Sequence, residues 1–126
     1  MAAHNEIGKW GEGLAREYLI TKGYAIVDTN ARIGKKELDI VAMHNSRIVF
    51  VEVKTRTGNA DDALDSIDRK KITLLSRAAE AYVQAHNIPH DVQFDVIVIT
   101  GNPDGEYELT HYPDAFMAPM LSYGKQ

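Results

Sequence analysis

The sequence contains no cysteine and no long apolar segment. Without cysteine the chain forms neither disulfides nor thiolate metal sites, so a metal would need carboxylate or imidazole ligands. Carboxylates favour hard ions such as Mg²⁺ or Mn²⁺. No apolar run approaches the roughly 18 residues of a membrane span, and the N-terminus has no apolar signal region. A cytoplasmic protein that does not enter a membrane is therefore the default expectation.

Basic side chains are also fewer than acidic ones, 14 against 18, and the net charge is −4. A negative net charge argues at first against a nucleic-acid partner. The distribution is uneven, because residues 32–77 carry ten basic and seven acidic side chains, whereas residues 78–126 carry one basic and seven acidic ones. The middle third is thus the basic part, and a bound divalent ion would make it more positive. This region can therefore accommodate phosphate groups.

Length and composition predict one globular domain. The chain has 126 residues, of which 44% are hydrophobic and 25% charged, and no repeat or linker divides it. We expect a single domain over residues 1–126, with a core from about residue 5 to residue 112 and a short C-terminal tail.

Hydrophobic periodicity predicts two helices and five strands. The helices are expected over Glu6–Lys22 and Asp65–His86, the second with Asp65 or Ser66 as N-cap. A short helix is expected in the tail after Pro113. A helix between the third and fourth strands predicts that these two strands are parallel neighbours in a mixed sheet. The expected strands are Tyr24–Asp28, Glu37–His44, Arg47–Thr55, Phe94–Thr100 and Glu106–His111, with a loop over Arg56–Leu64.

The second and third strands are joined by Asn45-Ser46 alone, which predicts a β-hairpin. A turn at these residues sets a register in which Asp39 lies opposite Glu52 and Glu37 lies opposite Lys54, all on one face. The same face carries, towards the turn, Val41 with Phe50 and Met43 with Ile48. The other face is wholly apolar and is expected to pack on the core, with the pairs Leu38–Val53, Ile40–Val51 and Ala42–Val49.

The charged half of this hairpin permits two interpretations. Opposed Cβ atoms lie about 4.5–5.5 Å apart, so the carboxylates of Asp39 and Glu52 can converge on one divalent ion. Without a positive partner, their like charges would destabilise the sheet and raise one pKa. The simpler alternative is a solvated surface ion pair between Glu52 and Lys54. Apolar residues interleaved with these charges favour an interior strand, where charged groups need partners.

At this point the residues resemble a known family. Gly11-Glu12 in a helix, Glu37-Leu38-Asp39 in one strand and Val51–Arg56 in the next are similar to the YraN-like family. These bacterial proteins are grouped with Holliday-junction-resolvase-like members of the PD-(D/E)xK nuclease superfamily. The sequence departs from the pattern at Lys36, where such families often have glycine. The resemblance covers residues from about 8 to 100 and also includes Gly23-Tyr24, Asn30-x-Arg32 and Phe94–Ile97.

The resemblance implies a restriction-endonuclease-like α/β fold, with a mixed central β-sheet flanked by helices, and a metal-dependent endonuclease acting on DNA. Asp39 and Glu52, with the backbone carbonyl of Val53, would bind Mg²⁺ or Mn²⁺. Lys54 would orient or deprotonate the attacking water and stabilise charge on phosphate. Neighbouring carboxylates would raise its pKa while the metal would oppose them, which favours orientation of the water over action as a base. Glu12 would reach the site from the first helix, although the helix periodicity alone is more typical of a solvated residue at the edge of the buried face.

Other charged residues carry weaker patterns. Glu37 is either a supporting carboxylate or the partner of Lys54 in an ion pair. Branched DNA is a candidate substrate, and because it needs two cuts a homodimer is plausible. The rival hypothesis is a non-catalytic nucleic-acid-binding or adaptor protein, suggested by the overall acidity and the lack of a long basic stripe. Phosphate contacts and solvated surface charges are the two alternatives for Arg32, Lys35, Lys36, Arg56, Arg69, Lys70 and Lys71.

Overall fold

Two helices and five strands follow one another in the predicted order. The structure is a computed structural model, and it describes residues 2–56 and 68–116. The strands form one sheet in the order β1-β2-β3-β4-β5, in which β3 and β4 are parallel and the other neighbours are antiparallel. This confirms the predicted mixed α/β sheet. The elements are α1 Ala2–Thr21, β1 Ala25–Ile33, β2 Lys36–His44, β3 Arg47–Arg56, α2 Arg69–Ala85, β4 Asp91–Gly101 and β5 Tyr107–Phe116.

The turn between β2 and β3 confirms the predicted hairpin. Asn45 has a φ of 51° and Ser46 a φ of 67°. Positive φ at both central residues is the type I′ geometry, whose twist matches that of the flanking strands. The predicted register is observed from the pair His44–Arg47 next to the turn as far as Ile40–Val51. Local turn chemistry therefore fixes which residues of the hairpin share a face.

The second helix begins later than predicted, and the predicted N-cap is wrong. Asp68 caps α2, because its carboxylate Oδ1 accepts a hydrogen bond of 2.9 Å from the backbone N–H of Lys71. A carboxylate in this place satisfies one of the free N–H groups of the first turn. Asp65 and Ser66, the predicted caps, lie outside the described residues, as does all of the predicted loop beyond Arg56.

The outer strands are longer than predicted. β1 continues beyond Asp28 to Ile33, because it pairs along the whole of β2. β5 runs through Pro113 to Phe116, so residues 114–116 are strand where a helix was expected. β5 has a neighbour on one side only, and an edge strand tolerates proline because the missing N–H need not join a ladder. The rest of the predicted tail helix lies outside the described residues.

Each face of the sheet packs against one helix. On one face Ala15 and Leu19 of α1 cover buried residues of β2, β3 and β4. On the other face Leu75 and Tyr82 of α2 cover a second buried cluster that includes Phe50. Because side chains alternate along β3, residues 51 and 53 face α1, whereas residues 50, 52 and 54 lie on the α2 side. The described helices include none that is long and apolar enough to cross a membrane.

Candidate active site

Glu52 is the most buried acidic residue of the hairpin, with only 7% of its surface exposed. Its carboxylate Oε2 lies 3.8 Å from the Lys54 Nζ and 3.6 Å from the Lys71 Nζ. The other oxygen, Oε1, is buried and has no hydrogen-bond partner among the described residues. A buried carboxylate oxygen without a partner is costly, so this atom marks a position where a ligand would be favourable.

Asp39 lies where the ladder between β2 and its neighbours is interrupted. Its Oδ2 accepts a hydrogen bond of 2.9 Å from the backbone N–H of Val53, so a side chain takes the place of a strand partner. On the β1 side, Asn30 has a φ of 52°, which breaks the regular alternation of side chains. Leu38, which precedes Asp39 on β2, packs in the cluster on the α2 face. The prediction that Leu38 shares the α1 face with Val53 is therefore wrong.

Glu12 approaches the hairpin from α1. Its Oε1 accepts a hydrogen bond of 3.0 Å from the side-chain amide of Asn30. The residue before it, Gly11, packs directly against Thr55 of β3, and a Cβ at Gly11 would overlap the Thr55 side chain. Glycine thus allows α1 to approach β3 closely, which brings Glu12 near the carboxylate of Asp39.

Two side chains of the cluster have pKa values far from their usual ones. Burial, the negative charge of Glu52 and, more weakly, that of Glu12 raise the pKa of Asp39 to about 7, against the opposing effects of the Val53 N–H and the Lys36 charge. Burial and the neighbouring Lys71 lower the pKa of Lys54 to about 8, although Glu52 and Asp39 act in the other direction. The predicted upward effect of the neighbouring carboxylates on the pKa of Lys54 is therefore present, but burial and Lys71 outweigh it.

Comparison with known proteins shows a family for this chain. Residues 11–99 match the model of "Uncharacterised protein family UPF0102". The chain belongs to UPF0102. A UPF0102 protein of Phocaeicola vulgatus is 40% identical over 124 residues, which cover 95% of this chain and 99% of that protein. One of Bacteroides thetaiotaomicron is 41% identical over 122 residues, and the match covers 96% and 100%. This confirms the predicted family, since UPF0102 is the YraN-like family.

The matched part of the UPF0102 member includes every residue of the cluster just described. Those relatives are named for the family alone, so no activity comes with the names. The chemistry of the site has to be argued from its geometry.

A hard divalent ion needs carboxylate or imidazole ligands grouped around one point. Nowhere in residues 2–56 and 68–116 are three or more histidine, aspartate or glutamate side chains grouped to hold a metal. Mg²⁺, however, is usually bound by one or two carboxylates and keeps several waters. Asp39 and Glu52 both line a small cavity of about 10 Å³, about the room one water molecule needs. Asp39 and Glu52 supply oxygens of the kind that such an ion prefers, among them Oε1 of Glu52, but most residues that line the cavity are apolar, and the cavity would have to widen for an ion that keeps several waters.

The other predicted site residues lie at different distances from this centre. Val53 contributes its backbone N–H to Asp39, and the predicted role of its carbonyl stays a prediction. Glu37 is exposed and lies opposite Arg32 in the backbone register of β1 and β2. Among the described residues no ion pair joins Glu37 to Lys54. The predicted phosphate contacts of residues 32, 36, 56, 70 and 71 also stay predictions. Of these, Lys36 and Lys71 lie beside the acidic cluster.

A second buried carboxylate escaped the sequence analysis. Asp95 of β4 is fully buried, and its Oδ2 accepts hydrogen bonds from the Tyr24 hydroxyl at 2.8 Å and the His111 Nε2 at 2.7 Å. Its Oδ1 accepts from the Gln93 amide at 2.8 Å and the Asp114 N–H at 2.9 Å. The signal was present, because Asp95 is the lone charge in the apolar run 94–99, and a buried charge needs partners.

Proposed function

We propose that this UPF0102 protein is a metal-dependent endonuclease that hydrolyses phosphodiester bonds of DNA, with branched DNA as a candidate substrate. The observation that carries the proposal is the buried Oε1 of Glu52, which has no hydrogen-bond partner among the described residues, on a side chain that lines the same cavity as Asp39. Neither residue serves the core in this arrangement, because the carboxylate of Glu52 costs free energy there and the like charges of the two repel each other. Sites of this kind are typical of bound cations and catalysis.

Under this proposal Asp39 and Glu52 hold Mg²⁺ or Mn²⁺, with Val53 as a further ligand through its carbonyl. The ion would polarise the phosphoryl oxygen and lower the pKa of water. Water adds to phosphorus, one P–O ester bond breaks, and the leaving oxygen takes a proton. Lys54 lies 3.8 Å from the Glu52 carboxylate that would hold the ion, so its ammonium would stabilise the charge that develops on phosphate. Its lowered pKa also makes a neutral, proton-accepting form accessible near pH 8.

Basic residues around the centre give DNA a route to it. Lys36 lies close enough to Asp39 to lower its pKa, and Lys71 reaches Glu52 from α2. Exposed cations at Arg32 and Lys70 extend this positive border and are placed to contact phosphates. The proposed assembly on branched DNA is a homodimer, because two strands have to be cut.

The experiment is cleavage of labelled linear, flapped and four-way-junction DNA with Mg²⁺, with Mn²⁺ and with EDTA. Glu52→Gln and Lys54→Met are compared with Arg77→Met, which removes a charge from an exposed position of α2 away from the cluster. We expect metal-dependent cleavage by the parent protein and a loss of at least about 100-fold in both site variants. Cleavage that survives Glu52→Gln would contradict the proposal.

A non-catalytic nucleic-acid-binding protein is the second candidate function. It is favoured by the lack, among the described residues, of three acidic or histidine side chains gathered around one point. Binding of branched DNA without cleavage of any substrate, unchanged by Glu52→Gln, would support this candidate against the nuclease.

A further inference from the structure

Lys71 enters the centre from a different element than the other residues. It lies in the first turn of α2, and its Nζ is 3.6 Å from the Oε2 of Glu52. Its backbone is held in place, because the N–H of Lys71 donates to the capping carboxylate of Asp68. Only the flexible side chain of Lys71 can therefore exchange partners while α2 stays where it is.

The contact of Lys71 with Glu52 is loose. Charge-assisted hydrogen bonds between an ammonium and a carboxylate are about 2.7–2.9 Å long. The Nζ of Lys71 at 3.6 Å and that of Lys54 at 3.8 Å both lie beyond this range, and they share one oxygen. At such distances the two ammonium groups are attracted to Oε2 by their charge, without a hydrogen bond of normal length. A divalent ion on the same carboxylate would compete with both.

Among the described residues the cluster has equal numbers of acidic and basic side chains. Three acidic side chains, those of Glu12, Asp39 and Glu52, stand against three basic ones. The basic set is Lys36, Lys54 and Lys71. A divalent ion would leave two positive charges in excess, and an ammonium a few ångströms from it would be repelled. The phosphate of a bound nucleic acid is the anion that meets this excess.

We propose that Lys71 is a positioning residue that holds Glu52 while no cation is bound and turns to a DNA phosphate when a cation takes its place. The inference rests on the proposed function and adds a coupling to it. Once the cation has displaced Lys71, DNA no longer has to break the Lys71–Glu52 contact, so each ligand strengthens binding of the other. The protein would therefore bind DNA more weakly before the cation is bound.

The test measures Mn²⁺ binding by the DNA-free protein, from the electron paramagnetic resonance signal of the free ion. Lys71→Met is expected to bind Mn²⁺ about fivefold more tightly than the parent, because a repelling charge is gone. Damage to the fold would weaken binding instead. Arg77→Met, with the same loss of charge about two turns further along α2, is expected to match the parent, and Lys71→Arg is expected to restore parent behaviour.

The second arm measures the affinity for a fluorescein-labelled four-way junction with and without Mn²⁺, by stopped-flow anisotropy at 4 °C before cleavage is visible on a denaturing gel. Mn²⁺ is expected to raise the affinity of the parent and of Arg77→Met about tenfold, and that of Lys71→Met less than threefold. Equal gains in parent and Lys71→Met would overturn the inference alone. A parent protein that binds no Mn²⁺ would overturn both the inference and the proposed nuclease.

Discussion

Two buried carboxylates on neighbouring strands of this sheet differ in how many hydrogen bonds they accept. Asp95 of β4 pairs with Val51 of β3, so it lies beside the residue that precedes Glu52. Asp95 accepts four hydrogen bonds, and although burial alone would raise its pKa, these bonds lower it. Glu52 has two distant lysines on one oxygen, and its other oxygen has no partner within residues 2–56 and 68–116.

The difference separates a structural acid from an acid available to a ligand. At Asp95 each carboxylate oxygen accepts two hydrogen bonds from the chain itself, from Tyr24 just before β1 and from residues of β4 and β5. A ligand would have nothing to gain there. At Glu52 and Asp39 the chain leaves the carboxylates repelling each other, which costs stability, and under the proposed function a cation would relieve this repulsion. Burial of an acidic residue is therefore no sign of function until its hydrogen bonds have been counted.

The largest expected effect is on stability, and it contrasts the two acids directly. Asp95→Ala removes the acceptor of four hydrogen bonds and leaves buried donors without an acceptor. It is therefore expected to lower the free energy of unfolding by about 3 kcal/mol. Glu52→Gln removes a poorly satisfied charge and is expected to change it by less than about 1 kcal/mol. Urea denaturation of the parent and both variants at pH 7 measures the difference. Equal losses in both variants would show that the two carboxylates are alike.

The next effect is on pH dependence and has opposite signs at the two acids. The pKa of Asp39 is raised from 3.8 to about 7, so its contribution to stability is present at low pH and is lost as pH rises through about 7. Asp39→Asn is therefore expected to be the more stable protein at pH 8, by about 2 kcal/mol, and its advantage is expected to shrink steadily as pH falls from 7 towards 4. Asp95 has a lowered pKa, so its contribution is lost as pH falls.

Urea titrations at pH 5, 6, 7 and 8 measure this dependence, with Asp104→Asn as the control because Asp104 is exposed. If Asp104→Asn produced the same change as Asp39→Asn, general charge repulsion would explain it. Saturating Mg²⁺ is expected to raise the stability of the parent more at pH 8 than at pH 5, because the cation binds the ionised carboxylate.

The smallest expected effect concerns α1, the helix that contacts both the Asp39 site and the Asp95 network. α1 carries Glu12 to the Asp39 site, and further along it carries Tyr18, whose hydroxyl lies 3.1 Å from the Nδ1 of His111 in the Asp95 network. Gly11→Ala places a methyl group on Thr55 and is expected to cost about 1 kcal/mol, the overlap outweighing the gain in helix propensity. Gly13→Ala, which meets open space, is expected to gain up to about 1 kcal/mol.

Thermal denaturation of the two glycine variants measures this contrast, and Thr55→Ser in the Gly11→Ala background is expected to recover the loss. Cleavage by Gly11→Ala is also expected to fall, because the shift moves Glu12 away from Asp39. A Gly11→Ala protein as stable and active as Gly13→Ala would show that the close approach of α1 to β3 has no role at the site.

The sequence by itself determined the hairpin and the side of it on which the charges lie. Asn45 and Ser46 set a two-residue turn, and the period of two along each strand then placed Glu52 and Lys54 on one face with Phe50. The helical segment before the apolar run at residues 94–100 likewise determined that β3 and β4 are parallel. These features are local or follow from connectivity, so a single chain of letters contains them.

Only the tertiary structure decided which groups meet that hairpin. Helix packing brings Lys71 to Glu52 and Asn30 to Glu12, and the interrupted ladder at Asp39 turns a carboxylate onto the Val53 N–H. The partners of Asp95 lie 71 residues before it, at Tyr24, and 16 residues after it, at His111. Local periodicity carries no information about such distant pairs, because their contact depends on how helices and edge strands settle on the sheet.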